Sequence, residues 1–359
     1  LSRHEEEPSA PGKTWPKRLK IVSYNAQDLF LNPAYEISKD DMKTLSEQQW
    51  QLLAQDETRL KSLAQLRGMA QIIADEDPDI IGICEVGGHE SLLRFNEWFL
   101  HDAYQVLLIP SQSHRGIENG FLVKRDLPLD VEAITHMHWR VPFTYPHEDD
   151  PVKFHIAAQA AAYMDLGKPE DRRLSRDVPA LFIRDQAKEL LFILLMVHLK
   201  SGFDMEGIDS GGQVRRAAEV KALIDIYHAL QKEHDVPIMI AGDFNGNASR
   251  DGTAPEFIPI YQRTDLEDVL WLAGRPKHER LTHVTFFGRT LQAQQLDYVF
   301  LPKSLRPQLD HAATYVYRYR FEDNDQEIML PTSFHDRRQL PSDHYPIVCV
   351  LESPLVVES

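Results

Sequence analysis

The sequence predicts an α/β protein in which two antiparallel-rich sheets pack face to face and helices cover their outer surfaces. Three observations carry this. Apolar runs of strand length recur along the chain, some as hairpin-like pairs such as "PALFIRD" with "ELLFILLMVHLKSG". Helical periodicity is confined to a few segments, so strands and helices do not alternate as a strict βαβ series requires. The longest apolar run, residues 190–197, has the length of a strand, and nothing approaches the roughly 18 to 20 apolar residues of a membrane span.

Composition narrows the class. At 43% hydrophobic and 26% charged, the 359 residues match a soluble globular protein able to bury a sizeable core. The net charge of -16 argues against a protein that simply coats nucleic acid, because counterion-release binding needs a basic surface. It leaves room for an enzyme with a local positive cleft or a metal. Cys84 and Cys349 both sit in apolar runs and are expected to be buried free thiols; no Cys/His zinc spacing occurs. No secretory signal is visible. The chain begins at Leu1 rather than Met, so both a cytoplasmic location and export with a removed signal stay open.

Residues 1–17 are polar and Pro-containing and are expected to form a loose tail. "LKIVSYNAQDLF" is a strand that turns polar at Asn25. Residues 32–54 form a polar insertion with mixed helical signals. From about Glu57 to Asp75, Leu60, Leu63, Leu66, Ala70 and Ile73 recur at a helical period. "DIIGICEV" and "ENGFLVKRD" are strands. The pair around Leu181 and Leu194 follows, and then a helix over 213–232. "IMIA", "LDYVFLP" and "YPIVCVLES" complete the strands. Between them lies 140–177, a long irregular stretch of the kind that is often functional.

One pattern repeats. A buried strand ends, and a residue suited to metal or phosphate chemistry follows. It happens at Asn25, at Glu85, at His198, at Asp243 with Asn245, and at Asp343 with His344, while Asp297 precedes its strand. Strand ends form a rim, and several such rims on a rigid frame can assemble a site. Each residue has an ordinary structural alternative: a turn, a strand cap, a satisfied histidine. "GDFNG" could be an Asx-turn, yet glycines on both sides of Asp243 and Asn245 suggest close approach to a ligand. The joint pattern is what points to function.

The ordered set "SYN", "ICEV", "VHLKSG", "GDFNG", "LDYVFLP" and "PSDHYP" resembles the endonuclease/exonuclease/phosphatase family of metal-dependent phosphoesterases, from about Lys20 to Leu351. The resemblance implies a four-layer α/β/β/α sandwich and one domain over 18–353, with 32–54 and 140–177 as insertions. It implies cleavage of phosphate esters with a divalent cation, Mg²⁺ in the first place, with Mn²⁺ or Ca²⁺ as alternatives. It makes Asn25 and Glu85 metal ligands with Asp343 near the metal. Asp243 would polarise the attacking water and Asn245 donate to a phosphate oxygen or to that water. His344 would contact the phosphate or take the water's proton, and Asp297 would orient it. His198 would face the scissile phosphate. Glu118, seven residues before Arg125, is similar to the Glu that pairs with this histidine in pancreatic-type deoxyribonucleases. Arg176 in "LSRD" is similar to a phosphate-contacting Arg, although the stretch that follows carries one extra residue.

Three readings of substrate follow. A nuclease or phosphodiesterase comes first, with nucleic acid as substrate rather than stable partner, and with Arg172, Arg173, Arg176, Arg215 and Arg216 as a local basic face. A phosphomonoesterase or phospholipase-like enzyme on inositol phosphates, sphingomyelin or a small molecule is easier to reconcile with the acidic charge; "HMHWRVPFTYPH" is the one candidate for a lipid-docking hairpin or a packed lid. A catalytically dead binding protein is disfavoured because every expected catalytic residue type is present. A monomer is expected.

Overall fold

The structure is a computed structural model that describes residues 13–31, 33, 37–53, 60–111, 113, 115–204, 207–319 and 330–353. Most of the expected tail lies outside these residues. In chain order the strands are β1 (Arg18–Leu29), β2 (Ile80–Val86), β3 (Tyr104–Leu107), β4 (Glu118–Lys124), β5 (Asp130–Ile134), β6 (Ala180–Arg184), β7 (Leu190–His198), β8 (Ile238–Asp243), β9 (Glu267–Asp268), β10 (His283–Phe287), β11 (Thr290–Gln294), β12 (Asp297–Leu301), β13 (Tyr315–Val316) and β14 (Ile347–Glu352). One six-stranded sheet has the order β13-β14-β1-β2-β4-β3, the other β5-β6-β7-β8-β12-β9, and β10 with β11 forms a separate ribbon.

The period of two along a strand assigns each side chain to a layer. In β7, Phe192, Leu194 and Met196 join the core between the sheets. Ile193, Leu195 and Val197 join a second core with Val220, Leu223, Ile224 and Tyr227 of the helix Gln213–His234. In β8, Met239 and Ala241 face inward while Ile238 and Ile240 face that helix. On the other sheet the helices Leu63–Glu76 and His89–Phe99 supply Leu66, Met69, Ile73, Leu92 and Phe95 to the first core. Two mixed sheets face to face with helices outside is the expected architecture. The sheets approach closely: a Cβ on Gly82 of β2 would lie 2.6 Å from Met196 Sδ, and Cys84 Sγ lies 3.2 Å from the Val197 carbonyl.

Most pairings are antiparallel. Among the described strands the two parallel ones, β1 with β2 and β7 with β8, lie one in each six-stranded sheet. Parallel neighbours finish at the same rim. The registers therefore set Asn25 opposite Cys84, next to Glu85, in one sheet, and His198 opposite Asp243 in the other. Antiparallel β12 starts at that rim, with Asp297 opposite Asp243.

Several elements differ from expectation. The first long helix starts at Leu63, because the Ser62 side chain accepts from the Gln65 amide and caps it; Leu60 instead bridges to Phe30. The helix expected over 213–232 continues to His234. The 140–177 stretch holds the short helices Pro146–Asp149 and His155–Ala161. It is organised around Arg172, whose guanidinium lies over the rings of Phe143 and Tyr145 and forms a two-point ion pair with Glu148. That packing makes the aromatic run 136–147 a packed wall.

The glycines of "GDFNG" answer to packing against the protein. Gly242 has φ +131°, and a Cβ there would meet the Val197 carbonyl oxygen at 2.0 Å; at Gly246 it would meet the Phe257 ring at 2.6 Å. Gly242→Ala is expected to destabilise the fold by at least about 2 kcal/mol, since both the backbone region and the backbone contact are refused. Urea denaturation of the two proteins measures this, and an unchanged midpoint would contradict the packing described.

Candidate active site

The rim brings together residues from strands remote in sequence. Glu85 sits where β2 bulges, with φ +60°, a left-handed conformation rare outside glycine that marks locally stored strain. Its Oε2 accepts from the Asp28 amide at 3.1 Å, and its Oε1 lies 3.6 Å from His198 Nε2. Asp243 is buried. Its Oδ1 accepts from the Asn245 amide at 2.7 Å, so the Asx-turn is present, and its Oδ2 accepts from Asn25 Nδ2 at 3.0 Å and Asn245 Nδ2 at 3.1 Å. His198 Nε2 is 3.6 Å from the same Oδ2, and His344 Nε2 is 3.9 Å away. His344 Nδ1 bonds Asp297 Oδ2 at 2.7 Å.

The electrostatics separate these groups. Burial pushes the Asp243 carboxyl up to about 7, with Asp297 adding to it and His344 opposing. Burial pulls the His344 imidazole down, but the bonded Asp297 carboxylate, helped by Asp243 and Asp343, raises it to about 10. Burial holds His198 well below its ordinary value, with Arg176 and His344 acting in the same direction. His198 is thus a neutral imidazole beside two carboxylates, and its Nδ1 is buried without a hydrogen-bond partner among the described residues.

Glu85, His198 and Asp243 each place one donor atom within 4.8 Å of the others, as do Asp243, Asp297 and His344, and also His283, Asp343 and His344. Buried carboxylates crowded together with a neutral imidazole suit a hard divalent cation, which takes oxygen ligands readily.

Three expected contacts are not made. Glu118, on the neighbouring strand, turns its carboxylate to Ser111 Oγ and has no ion pair or hydrogen bond with His198. Its pKa is raised by burial and lowered in part by that serine. Asp343 is held by Arg337 Nη2 at 2.8 Å and groups with His283, not with Glu85. Asn25 presents its amide nitrogen to Asp243 and Glu85 while its oxygen accepts from the Gln27 amide, because two bare carboxylates draw a donor. Arg176 is where the sequence suggests, buried beside the site, with Nη1 3.3 Å from the Leu199 carbonyl. Asn245 Nδ2 donates to that same carbonyl at 3.0 Å.

The structure adds two residues. Lys61 is buried beneath the end of β1, donating to the carbonyls of Ala26 and Gln27 at 2.8 Å each. Burial lowers its pKa to about 8 against the pull of Asp343, Asp28 and Glu85. In sequence it looks like a helix-face lysine and carries no signal. His283 opens β10, and its ring centroid lies 4.6 Å from that of His344. A histidine at the start of an apolar run is the cue the sequence offers for it.

Residues 49–344 match the family model described as the Endonuclease/Exonuclease/phosphatase family. The chain belongs to this family, which places it among phosphoesterase-type hydrolases. Among solved structures it is similar to D. rerio TDP2 complexed with single strand DNA product, at 14% identity and a TM-score of 0.55, covering 94% of this chain and 100% of that one. It is similar to the human Nocturnin catalytic domain with bound sulfate, at 12% identity and a TM-score of 0.52, covering 94% and 96%. A Bacteroides vulgatus protein of the same family gives 14% identity and a TM-score of 0.52, covering 94% and 100%. These likenesses establish the fold. No curated protein matches the chain. No helix among the described residues is long and apolar enough to cross a membrane.

The His344–Asp297 pair makes a testable statement. Asp297→Asn keeps a hydrogen-bonding side chain and removes the charge, so the His344 pKa is expected to fall from about 10 under the remaining pull of burial, with Asp243 and Asp343 still opposing it. Because the folded value is raised, the stability contributed by the pair is complete below pH 6.5 and is lost as pH rises through about 10. Ring-proton NMR titration in EDTA, with urea melts at both ends of that window, checks the shift. A His344 titration unmoved by the substitution would contradict it.

Proposed function

We propose that the chain is a Mg²⁺-dependent phosphodiesterase of the nuclease type, that residues 18–353 form one catalytic domain, and that water is its nucleophile. One observation carries the reading: Glu85, His198, Asp243, Asp297 and His344, from five strand ends or loops, converge with successive contacts of 3.6, 3.6, 3.9 and 2.7 Å.

Glu85, with His198 3.6 Å from its carboxylate, would hold the cation. A bound Mg²⁺ supplies charge for the phosphate oxygens and acidifies water. The remaining work falls to the protein. Asp243, its carboxyl pushed up by burial and its oxygens held by Asn25 and Asn245, is placed to take a proton from water. His344, held as the imidazolium by Asp297, donates a hydrogen bond to a phosphate oxygen as charge builds there. Two neighbouring groups whose pKa values are driven apart in this way divide the base and acid roles. His198, neutral, serves as a ligand or a neutral N–H donor and not as a cationic acid. Asn245 holds Asp243 from both its backbone and its amide, and the amide stands beside Arg176 through the shared Leu199 carbonyl.

The test is turnover of plasmid DNA, RNA, bis-p-nitrophenyl phosphate, p-nitrophenyl phosphate, inositol polyphosphates and sphingomyelin with Mg²⁺ or Mn²⁺. Diesters are expected to turn over and excess EDTA to abolish it. Asp243→Asn is expected to lower the single-turnover rate at least about 10²-fold, the scale of a general base, with the protein still folded. Full activity in EDTA, or a normal rate in Asp243→Asn, would overturn the assignment.

A further inference from the structure

Beside the proposed catalytic centre lies a cleft of about 760 Å³ whose wall is built largely by 137–177. Arg115, Arg172, Arg173, Arg176, Arg215 and Lys200 all line it, in a protein of net charge -16. Half of these cations face acids of the fold. Arg172 is neutralised by Glu148, Arg215 Nε bonds Glu219 at 3.2 Å, and Arg115 lies 3.9 Å from Asp28. Arg216, expected on the same face, is buried against Glu256 and does not line the cleft. The other half meet neutral partners. Arg173 contacts His138 Nδ1, Arg176 contacts the Leu199 carbonyl and Ser175, and Lys200 Nζ contacts the carbonyls of Ser201 and Phe203. Three acids on the wall are turned to other groups: Asp177 accepts from Thr135 and the His136 amide, Asp165 accepts from the Gly167 amide, and Asp171 lies 3.8 Å from Arg140.

We infer that this cleft is a subsite for a second phosphate of the substrate, next along a nucleic-acid strand from the one being cleaved. The inference rests on the proposed phosphodiesterase reading and deepens it. Arg176 joins the two places, since its Nη1 and Asn245 Nδ2 meet at one carbonyl. Arg173 and Lys200 line the same cleft. The volume falls in the range of about 300 to 1,000 Å³ usual for small-molecule pockets, more than a lone phosphate fills. Met137, Tyr145, Leu166 and Leu174 supply apolar wall for the sugar and base that accompany a strand phosphate. Inositol phosphates share the phosphate chemistry but have no use for the apolar wall.

The probe is fluorescein-labelled hexathymidylate, bound to the full chain in EDTA and followed by anisotropy, with Arg173→Gln and Arg173→Glu as variants. Arg173 is exposed, so neither change disturbs the core. Affinity is expected to fall about tenfold in Arg173→Gln and further in Arg173→Glu, the scale of one charge-assisted hydrogen bond. The slope of log affinity against log salt should shrink by about 0.7 for each phosphate that is no longer neutralised. With Mg²⁺, the ratio of kcat/KM for unlabelled hexathymidylate to that for bis-p-nitrophenyl phosphate should fall by a similar factor. An unchanged affinity and ratio, no saturable binding by the wild type, or Arg173-dependent binding of inositol hexakisphosphate in place of hexathymidylate would each overturn the subsite. If the strand binds through Arg173 and no ester is cleaved, the subsite stands and the phosphodiesterase reading falls. If cleavage persists and Arg173 is indifferent, the reverse holds.

Discussion

The site depends on one topological constraint: among the described residues each six-stranded sheet contains a single parallel pair of strands, and both pairs finish at the same rim. An antiparallel hairpin sends its neighbouring strand ends to opposite edges, whereas β1 with β2 and β7 with β8 deliver two C-terminal ends side by side. The close approach of the sheets at Gly82 and Met196 then sets the Asn25–Glu85 end over the His198–Asp243 end. The side chains are placed by backbone ladders that the whole core supports, so small shifts in single side chains do not dissolve the constellation. Gly242 is part of this constraint. The β7 backbone runs so near that no side chain fits one residue before Asp243.

Burial on such a rim is electrostatically expensive, and the arrangement shows how the cost is met. Asp243 receives three N–H donors, from Asn25, the Asn245 side chain and the Asn245 backbone. Asp297 receives the charged imidazole of His344 at 2.7 Å. Glu85 receives one good backbone donor and a long contact from Asn25. It is therefore the least compensated of the three carboxylates, and its strained backbone turns it toward the others. The position where negative charge is least satisfied is where a cation stabilises the site most.

How much of this can be read from the sequence follows from what is local. Apolar runs ending in Asn25, Glu85, His198 and Asp243 are local, and both the strands and the rim residues are legible. So is the two-sheet architecture, which follows from hairpin pairs with few helices. The partners are not. Asp343 and His344 look like one unit in "SDH", and their side chains do approach to 4.0 Å, yet Asp343 is held by Arg337 and His344 by Asp297. The resemblance pairs Glu118 with a histidine across the sheets, but Ser111, a few residues upstream, claims it. The two-residue strands β9 and β13 exist through pairing alone and carry no periodicity. By contrast, β10 and β11 flank Gly288 with φ +61° in "FFGRT", a local hairpin signal that the strand assignment by apolar runs alone does not use.

The insertion that builds the cleft is tied to the rim by one buried carboxylate. Glu219, on the helix Gln213–His234, accepts from the Ser175 amide at 3.0 Å through one oxygen and from the Lys200 amide at 2.7 Å through the other. It thereby joins the segment that carries Arg176 to the exit of β7, two residues past His198. Arg215, four residues earlier on the same helix face, completes the carboxylate's partners and reaches the Arg173 carbonyl. A long loop on the surface of a domain is ordinarily free to wander. Here its basic segment is pinned to the same helix and strand that position His198. The distance from cleft to rim is therefore a property of the packed core and not of the loop. An acidic protein needs that rigidity more than a basic one, because no general field draws an anion in, and a few cations at a fixed place must act against the net charge.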